Sequence, residues 1–308
     1  MDRHSFVAGT SPYDAPDMPA GTRVRYFAPA PALAGSITAY NAYGAIDAAP
    51  RVDPFLPMMM MVNILIDAGP VSVRIRNHRY DDVPAVALYG AMTRPLVATT
   101  QGGIMIGAGI SPVGWARLSR RSAVDFHNRV APLGGLFGPH WGERVRADLA
   151  AAKDDADIPA ILDRHFAPLL DTPHPYEPVI AGLGAAIAND AEVDIVTIAA
   201  RLGVTTAALR RIAHSYFGMP PKLLLRRARF FRSFLREPGL VGGNGPRTIE
   251  PAYYDSSHYL RDAGSFLGTT PRRFLKQPAD FLRGSLASRA LTLGVAAQVL
   301  HHVDPAAH

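Results

Sequence analysis

Between Arg23 and Ile110 the apolar residues come in short runs punctuated by Gly, Pro and Asp, and their spacing is that of strands. VSVRIR (Val71–Arg76) alternates apolar and polar with period two, which predicts a strand buried on one face. Met58–Ile66, Ala85–Tyr89, Leu96–Thr100 and Gly103–Gly107 are further expected strands. Five or more short strands joined by short turns predict an antiparallel sheet or a small barrel. The period changes at Ser111–Pro112, an N-cap followed by Pro at the first helical position. Helical patterning then runs to about Leu170, broken by APLGGLFGPHWG, and Thr172–Pro178 (TPHPYEP) reads as an interdomain linker. Residues 1–20 are polar and Pro-rich and are expected to be disordered. At the other end, Gly284–Val303 reads as a helix capping the domain before it.

Beyond the linker, IVTIAARLGVTTAALRRIAHSYFG (Ile195–Gly218) predicts two short helices meeting at a tight turn. Helices that cross steeply need a small residue at closest approach and a turn residue tolerant of positive φ. Ala199 supplies the first and Gly203 the second, while Ile198, Val204, Leu209 and Ile212 fall where a shared core would lie. Thr205 is placed to cap the second helix, whose first amides can also grip a phosphate. With Leu209 and Ile212 inward, the helical period turns Thr206, Ala207, Arg210, Arg211 and His214 outward.

A Gly-containing turn between helices is also common in enzymes and bundles, so charge decides how to read this one. Ile195–Arg236 carries nine Lys/Arg and no Asp or Glu. Residues 1–174 hold 16 Lys/Arg and 16 Asp/Glu, so the whole +6 excess of the 308-residue chain falls in residues 175–308. A neutral front and a basic back imply that the back meets a polyanion. A helix-turn-helix within a basic surface is what a reader of duplex DNA needs, and adjacent outward arginines suit guanine O6 and N7 in the major groove.

The residues GVTTAALRRIAHSYFGMPPKLLLRRARFFRSFLRE resemble the first half of the AraC/XylS-type DNA-binding domain, and YYDSSHYLRDAGSFLGTTPRRFLKQ resembles its second half. The resemblance spans about residues 178–277, with both motifs in order. It implies two helix-turn-helix units in successive major grooves, joined by a helix around Leu223–Glu237. Carried over by position, the readers would be Ala207, Arg210 and Arg211 of the first unit, with Thr205 and Thr206 beside them. In the second they would be Ser256, Ser257, Leu260 and Arg261, capped by Asp255. One departure stands out: Pro246 and Pro251 fall where a helix should run and Ala252 replaces the turn glycine, so the second unit's first helix is expected to be short or distorted.

GTRVRYFAPAPALAGSITAYNAYG and the stretch LYGAMTRPLVATTQGGIMIGAGISPVGWARLSRRSAVDFHNRVAPL are similar, by a looser pattern, to the sensor-type N-terminal domain of some such regulators. The expected class is therefore α+β: a β-rich regulatory or dimerisation domain, small barrel or cupin-like, with trailing helices over 21–172, the double helix-turn-helix over 178–277, and a helical extension over 278–308. Expected partners are double-stranded DNA, a small-molecule effector, a second copy through the helices between Pro112 and Leu170, and RNA polymerase if the protein activates. The alternatives are a small-molecule-binding enzyme, or a partner-binding protein that uses the basic domain only as an interaction module.

The front offers little for catalysis. His78 is the one histidine among the strands, too few for a metal-binding cupin, and there are no cysteines to bind metal or act as nucleophiles. GAGISPVG has Pro112 at the third glycine position of a phosphate-cradling turn and Val113 at the second glycine of a nucleophile elbow. No catalytic residue, metal or cofactor is assigned. Met58–Met61 reads as buried strand, with the wall of a ligand pocket as the alternative; Trp115 and Trp141 read as core. With no apolar leader and no run long enough to span a bilayer, the expected location is cytoplasmic.

Overall fold

A computed structural model describes residues 1–15, 18–189, 194–237, 240, 253, 256–277 and 280–294. A β-rich unit occupies the front of the chain and helices the back. Strands β1 (Thr22–Phe27), β2 (Ile37–Ala45), β4 (Met61–Ile66), β7 (Val86–Tyr89), β9 (Gly103–Ile110) and β10 (Val130–Pro132) form one sheet in the order β1-β2-β9-β4-β7-β10. Strands β3 (Arg51–Phe55), β5 (Ser72–Ile75), β6 (His78–Tyr80) and β8 (Leu96–Thr100) form a second, ordered β3-β8-β5-β6. Neighbouring strands in both sheets run antiparallel.

Strand β4 shows how the sequence divides its two faces. Val62, Ile64 and Ile66 share a core with Trp141, Leu149 and Phe166 of α3 (Trp141–Ala151) and α4 (Ile158–Leu170). The alternate residues Met61, Asn63 and Leu65 line a cavity between the sheets. Of the methionine run, Met61 alone starts the strand, and Met58 and Met61 border the cavity. Helices α3 and α4 turn their apolar faces onto their own sheet. Trp115 and Trp141 are core, at 1% and 3% exposure. Ser111 caps α2 (Pro112–Leu118) as its sequence suggests, its hydroxyl accepting from the Gly114 amide at 2.9 Å.

The N-terminal segment departs from expectation. Arg3–Ala8 is a helix, α1, because the Asp2 carboxylate accepts from the His4 and Ser5 amides, each at 3.0 Å. Its Phe6 is buried against Gly44, where a Cβ would lie 2.3 Å from the ring. Arg23 adds to this anchor, donating to the Phe6 carbonyl at 2.7 Å and pairing with Asp14 at 3.1 Å, contacts that the composition of the segment does not reveal.

Behind these come α5 (Glu177–Asn189), α6 (Ile195–Arg201), α7 (Thr206–Ile212), α8 (Pro221–Phe234), α9 (Ser256–Phe266), α10 (Pro271–Leu275) and α11 (Asp280–Leu293). The chain widens into a π turn over Ala213–Phe217 between α7 and α8. The expected linker is held fast, for Arg117 grips both carboxylate oxygens of Glu177 at 2.6 Å and donates to the Leu170 carbonyl at 2.8 Å. Front and back share a core in which Met59, Ala91 and Ala116 sit with Ile198, Leu209, Ile212 and Phe217. Helix α11 covers more than the helical domain: Leu282 and Leu286 join Phe230 and Phe234 in one core, while Ser285 bonds Tyr26 of β1 at 2.9 Å.

Candidate nucleic-acid interface

Helix α6 begins on Asp194, whose carboxylate accepts from the Val196 and Thr197 amides at 2.7 and 2.9 Å. Gly203 turns the chain at φ +65°, a conformation that a side chain would strain. Thr205 then caps α7 as its position suggests, its hydroxyl accepting from the Ala208 amide at 3.1 Å. Ile198, Ala199, Leu209 and Ile212 are buried and Val204 packs against them, so the shared core forms where the apolar spacing put it. Thr205, Ala207, Arg210 and Arg211 are exposed; Thr206 and His214 are half-buried.

Helix α9 repeats the design fifty positions on. Gly218 after the first helix and Gly268 after the second both take positive φ, at +74° and +72°, and Pro221 and Pro271 open the helices that follow. In that register Leu209 matches Tyr259, Ala213 matches Ala263 and Phe217 matches Leu267, all buried. The outward positions also match: Ala207 with Ser257, Arg210 with Leu260 and Arg211 with Arg261, all exposed. Of the residues expected as readers, Ala207, Arg210 and Arg211 thus lie on the face of α7 that corresponds to Ser257, Leu260 and Arg261 on α9. Ser256 begins α9. Asp255, Pro246, Pro251 and Ala252 lie outside the described residues.

Arg210 and Arg211 have no carboxylate within ion-pair distance among the described residues, and Arg261 donates to the Ser257 carbonyl at 3.4 Å. These guanidiniums are exposed. The arginines of α8 are not. Arg226 pairs with the buried carboxylate of Asp262 and donates to Ser265 Oγ at 2.6 Å. Tyr253 donates to the other Asp262 oxygen at 2.8 Å, so α8 and α9 are clamped together. Arg232 donates to the Ile187 and Ala188 carbonyls at the end of α5, at 3.1 and 3.2 Å. Helix α8 is thus a spacer fixing the relative pose of the two outward helices.

Arg227 is 2% exposed and reaches into the front unit, donating to the Pro57 carbonyl at 2.7 Å and the Met92 carbonyl at 3.2 Å. Burial pushes its pKa down to about 9. The basic run is consequently less of a basic surface than its composition suggests. What the sequence reading missed lies just beyond each outward helix: Lys222, Arg272 and Arg273 are exposed at the starts of α8 and α10. The repeated Gly-x-x-Pro spacing followed by a cation was the signal that could have found them.

No protein-family model matches the chain. No curated protein matches it either. Among solved structures it is similar to ToxT from Vibrio cholerae, with 11% identity over 77% of this chain and 97% of that one and a TM-score of 0.42. A fatty-acid-bound form of ToxT gives 11% identity, 82% and 94% coverage and a TM-score of 0.41. The AraC-like transcriptional activator CuxR gives 12%, 69% and 86%, with a TM-score of 0.24. Likeness at this level leaves the functional argument to the chain's own geometry.

Proposed function

We propose that this chain is a sequence-specific DNA-binding transcription regulator that reads the major groove with α7 and α9, with the front unit as its sensor. The observation that carries the reading is the matched pair of helices. In two segments fifty residues apart Leu209 and Tyr259, Ala213 and Ala263, and Phe217 and Leu267 are buried at matching positions, and at Arg211 and Arg261 both expose an arginine without a carboxylate partner among the described residues. On a structural helix such a cation does little; on a recognition helix it supplies a bidentate donor to guanine. Thr205, Thr206, Ala207, Arg210 and Arg211 act in the first unit, and Ser256, Ser257, Leu260 and Arg261 in the second. Lys222, Arg272 and Arg273 are suited to phosphates flanking each contact.

Selection of bound sequences from a random duplex pool by the full-length protein tests this reading. A defined motif should emerge, with affinity falling steeply as salt rises through counterion release. Arg211→Ala should lower affinity for that motif by about 1–3 kcal/mol and relax preference at one base pair. Unchanged affinity and preference in the variant would refute the assignment of α7 as a reading helix.

A further inference from the structure

The front unit reaches the far ends of both outward helices. Arg94, in the loop between β7 and β8, donates to the Ser265 carbonyl at the end of α9 and, at 3.3 Å, to that of Gly264. Ser122 donates to the His214 carbonyl just after α7, at 3.4 Å. Gly264 is exposed and lies three residues beyond Arg261, so the two share one face of α9. A cation of the front unit therefore continues the outward stripe of the second unit, about one turn past its arginine.

Further cations stand beside Arg94. Arg76 is at the tip of the β5–β6 hairpin, where Ile75 pairs with His78, and it takes a left-handed φ of +53°. That conformation suits glycine or asparagine, and a long side chain held there in spite of the strain points to a use for it. Burial, then the charges of Arg76 and Arg226, hold the Arg94 pKa below its ordinary value, so these guanidiniums are close enough to repel. Next to the hairpin is a groove of about 1000 Å³, bordered by Arg76, His78, Arg121, His127 and Arg129. The Thr93 amide joins the Arg94 loop to it, donating to Oδ1 of the groove residue Asn128 at 2.8 Å. Asp125 is the one carboxylate among its lining residues and stands 3.6 Å from Arg121. Arg76 and Arg129 are exposed and have no carboxylate within ion-pair distance among the described residues. Like charges gathered in this way repel unless an anion covers them.

We propose that this face of the front unit carries the phosphate backbone of the duplex that α9 reads, with Arg94 and Arg76 beside the helix and Arg129 further out. This rests on the reading of α9 as a recognition helix. The cations run on from Arg261 as a track, and a track suits the closely spaced charges of a duplex, about one per 1.7 Å of axis, better than a single small anion. Contacts of this kind fix register and orientation and read no sequence.

The test titrates the full-length protein against the duplex motif it selects, by fluorescence anisotropy at several salt concentrations. Losing one phosphate contact makes the dependence of log K on log salt shallower by about 0.9. Arg76→Asn and Arg129→Gln should each show that change, with base preference as in the wild type. Asparagine tolerates the left-handed turn, so the hairpin keeps its shape. Arg164→Gln removes the same charge from α4, at a side chain 63% exposed, and should leave the slope unaltered. The wild type should also bind a duplex continued by about ten base pairs, one helical turn, past the half-site of α9 more tightly than one ending there. That half-site is the one whose preference Arg261→Ala relaxes. The double variant of Arg76 and Arg129 should bind the two duplexes equally. Wild-type slopes in both single variants would overturn the proposal, as would an equal change in Arg164→Gln or equal binding of the two duplexes by the wild type. A selected motif with unchanged slopes sinks this proposal alone, whereas no selected motif at all sinks the DNA-binding reading and this proposal with it.

Discussion

The dipeptide Arg-Arg occurs on both α7 and α8, as Arg210–Arg211 and Arg226–Arg227. In the first pair both side chains are exposed and lack a carboxylate partner among the described residues. In the second, Arg226 is bound to the buried Asp262, and Arg227 is enclosed and donates to carbonyls of the front unit. The residue type and local charge are the same, and the helical context is similar. What differs is the angle each residue makes with the core. A guanidinium in water can still exchange its hydration for a base edge, whereas one sealed among carbonyls has already made its exchange. Counting cations therefore measures an upper limit on the surface available to a polyanion.

The sharpest way to break this comparison is Arg227→Ala. Removing the side chain strands the Pro57 and Met92 carbonyls and opens a gap, so stability should fall by about 3 kcal/mol in urea unfolding. A loss below about 1 kcal/mol would mean that the two carbonyls rehydrate freely. Arg210→Ala should do the reverse: stability within about 0.5 kcal/mol of the wild type, and affinity for the selected duplex weaker by about 1–3 kcal/mol. A variant at Arg210 that is destabilised but binds normally would make the two pairs alike.

Between these lies Thr205→Ala. It removes the cap of α7 together with one hydroxyl proposed to act at the DNA, so stability should fall by about 1 kcal/mol. DNA binding should weaken less than for Arg210→Ala, through fraying of the start of α7 and loss of the hydroxyl. The smallest expected effect concerns pH. His127 sits at the junction of the units, where burial, then the charge of Arg227, hold its pKa below the ordinary 6.5, with His214 adding to the effect. A base whose folded pKa is depressed takes up fewer protons in the folded than in the unfolded state. Its contribution to stability is therefore present above pH 6.5 and is lost as pH falls below it. Thermal unfolding from pH 7 to 5 should show this loss, and His127→Gln should flatten that part of the profile.

Much of the architecture was legible from periodicity. Leu96–Thr100 is β8 to the residue, the alternation in VSVRIR places Val73 and Ile75 inward, and Ile198, Leu209 and Ile212 form the shared core. Patterns of period two and 3.6 report which way a residue faces within its own element. They do not report what lies opposite. That is why Arg227 reads as one more surface cation, and why α11 reads as a cap on the helical domain when it also seals the front sheet. The N-terminal helix escaped for a related reason, since Phe6 orders its segment through a contact with Gly44 that no local window contains.

Pro57, the acceptor for Arg227, also borders the cavity beneath α11. Arg227 in turn is next to Arg226, which holds the second outward helix through Asp262. A lever one residue long thus joins the floor of a chamber to the aim of a helix. A molecule that displaced Pro57 by about an ångström would carry that oxygen beyond hydrogen-bond reach of a buried cation. The wall of the chamber and the helix that holds Asp262 are thus joined through two neighbouring guanidiniums.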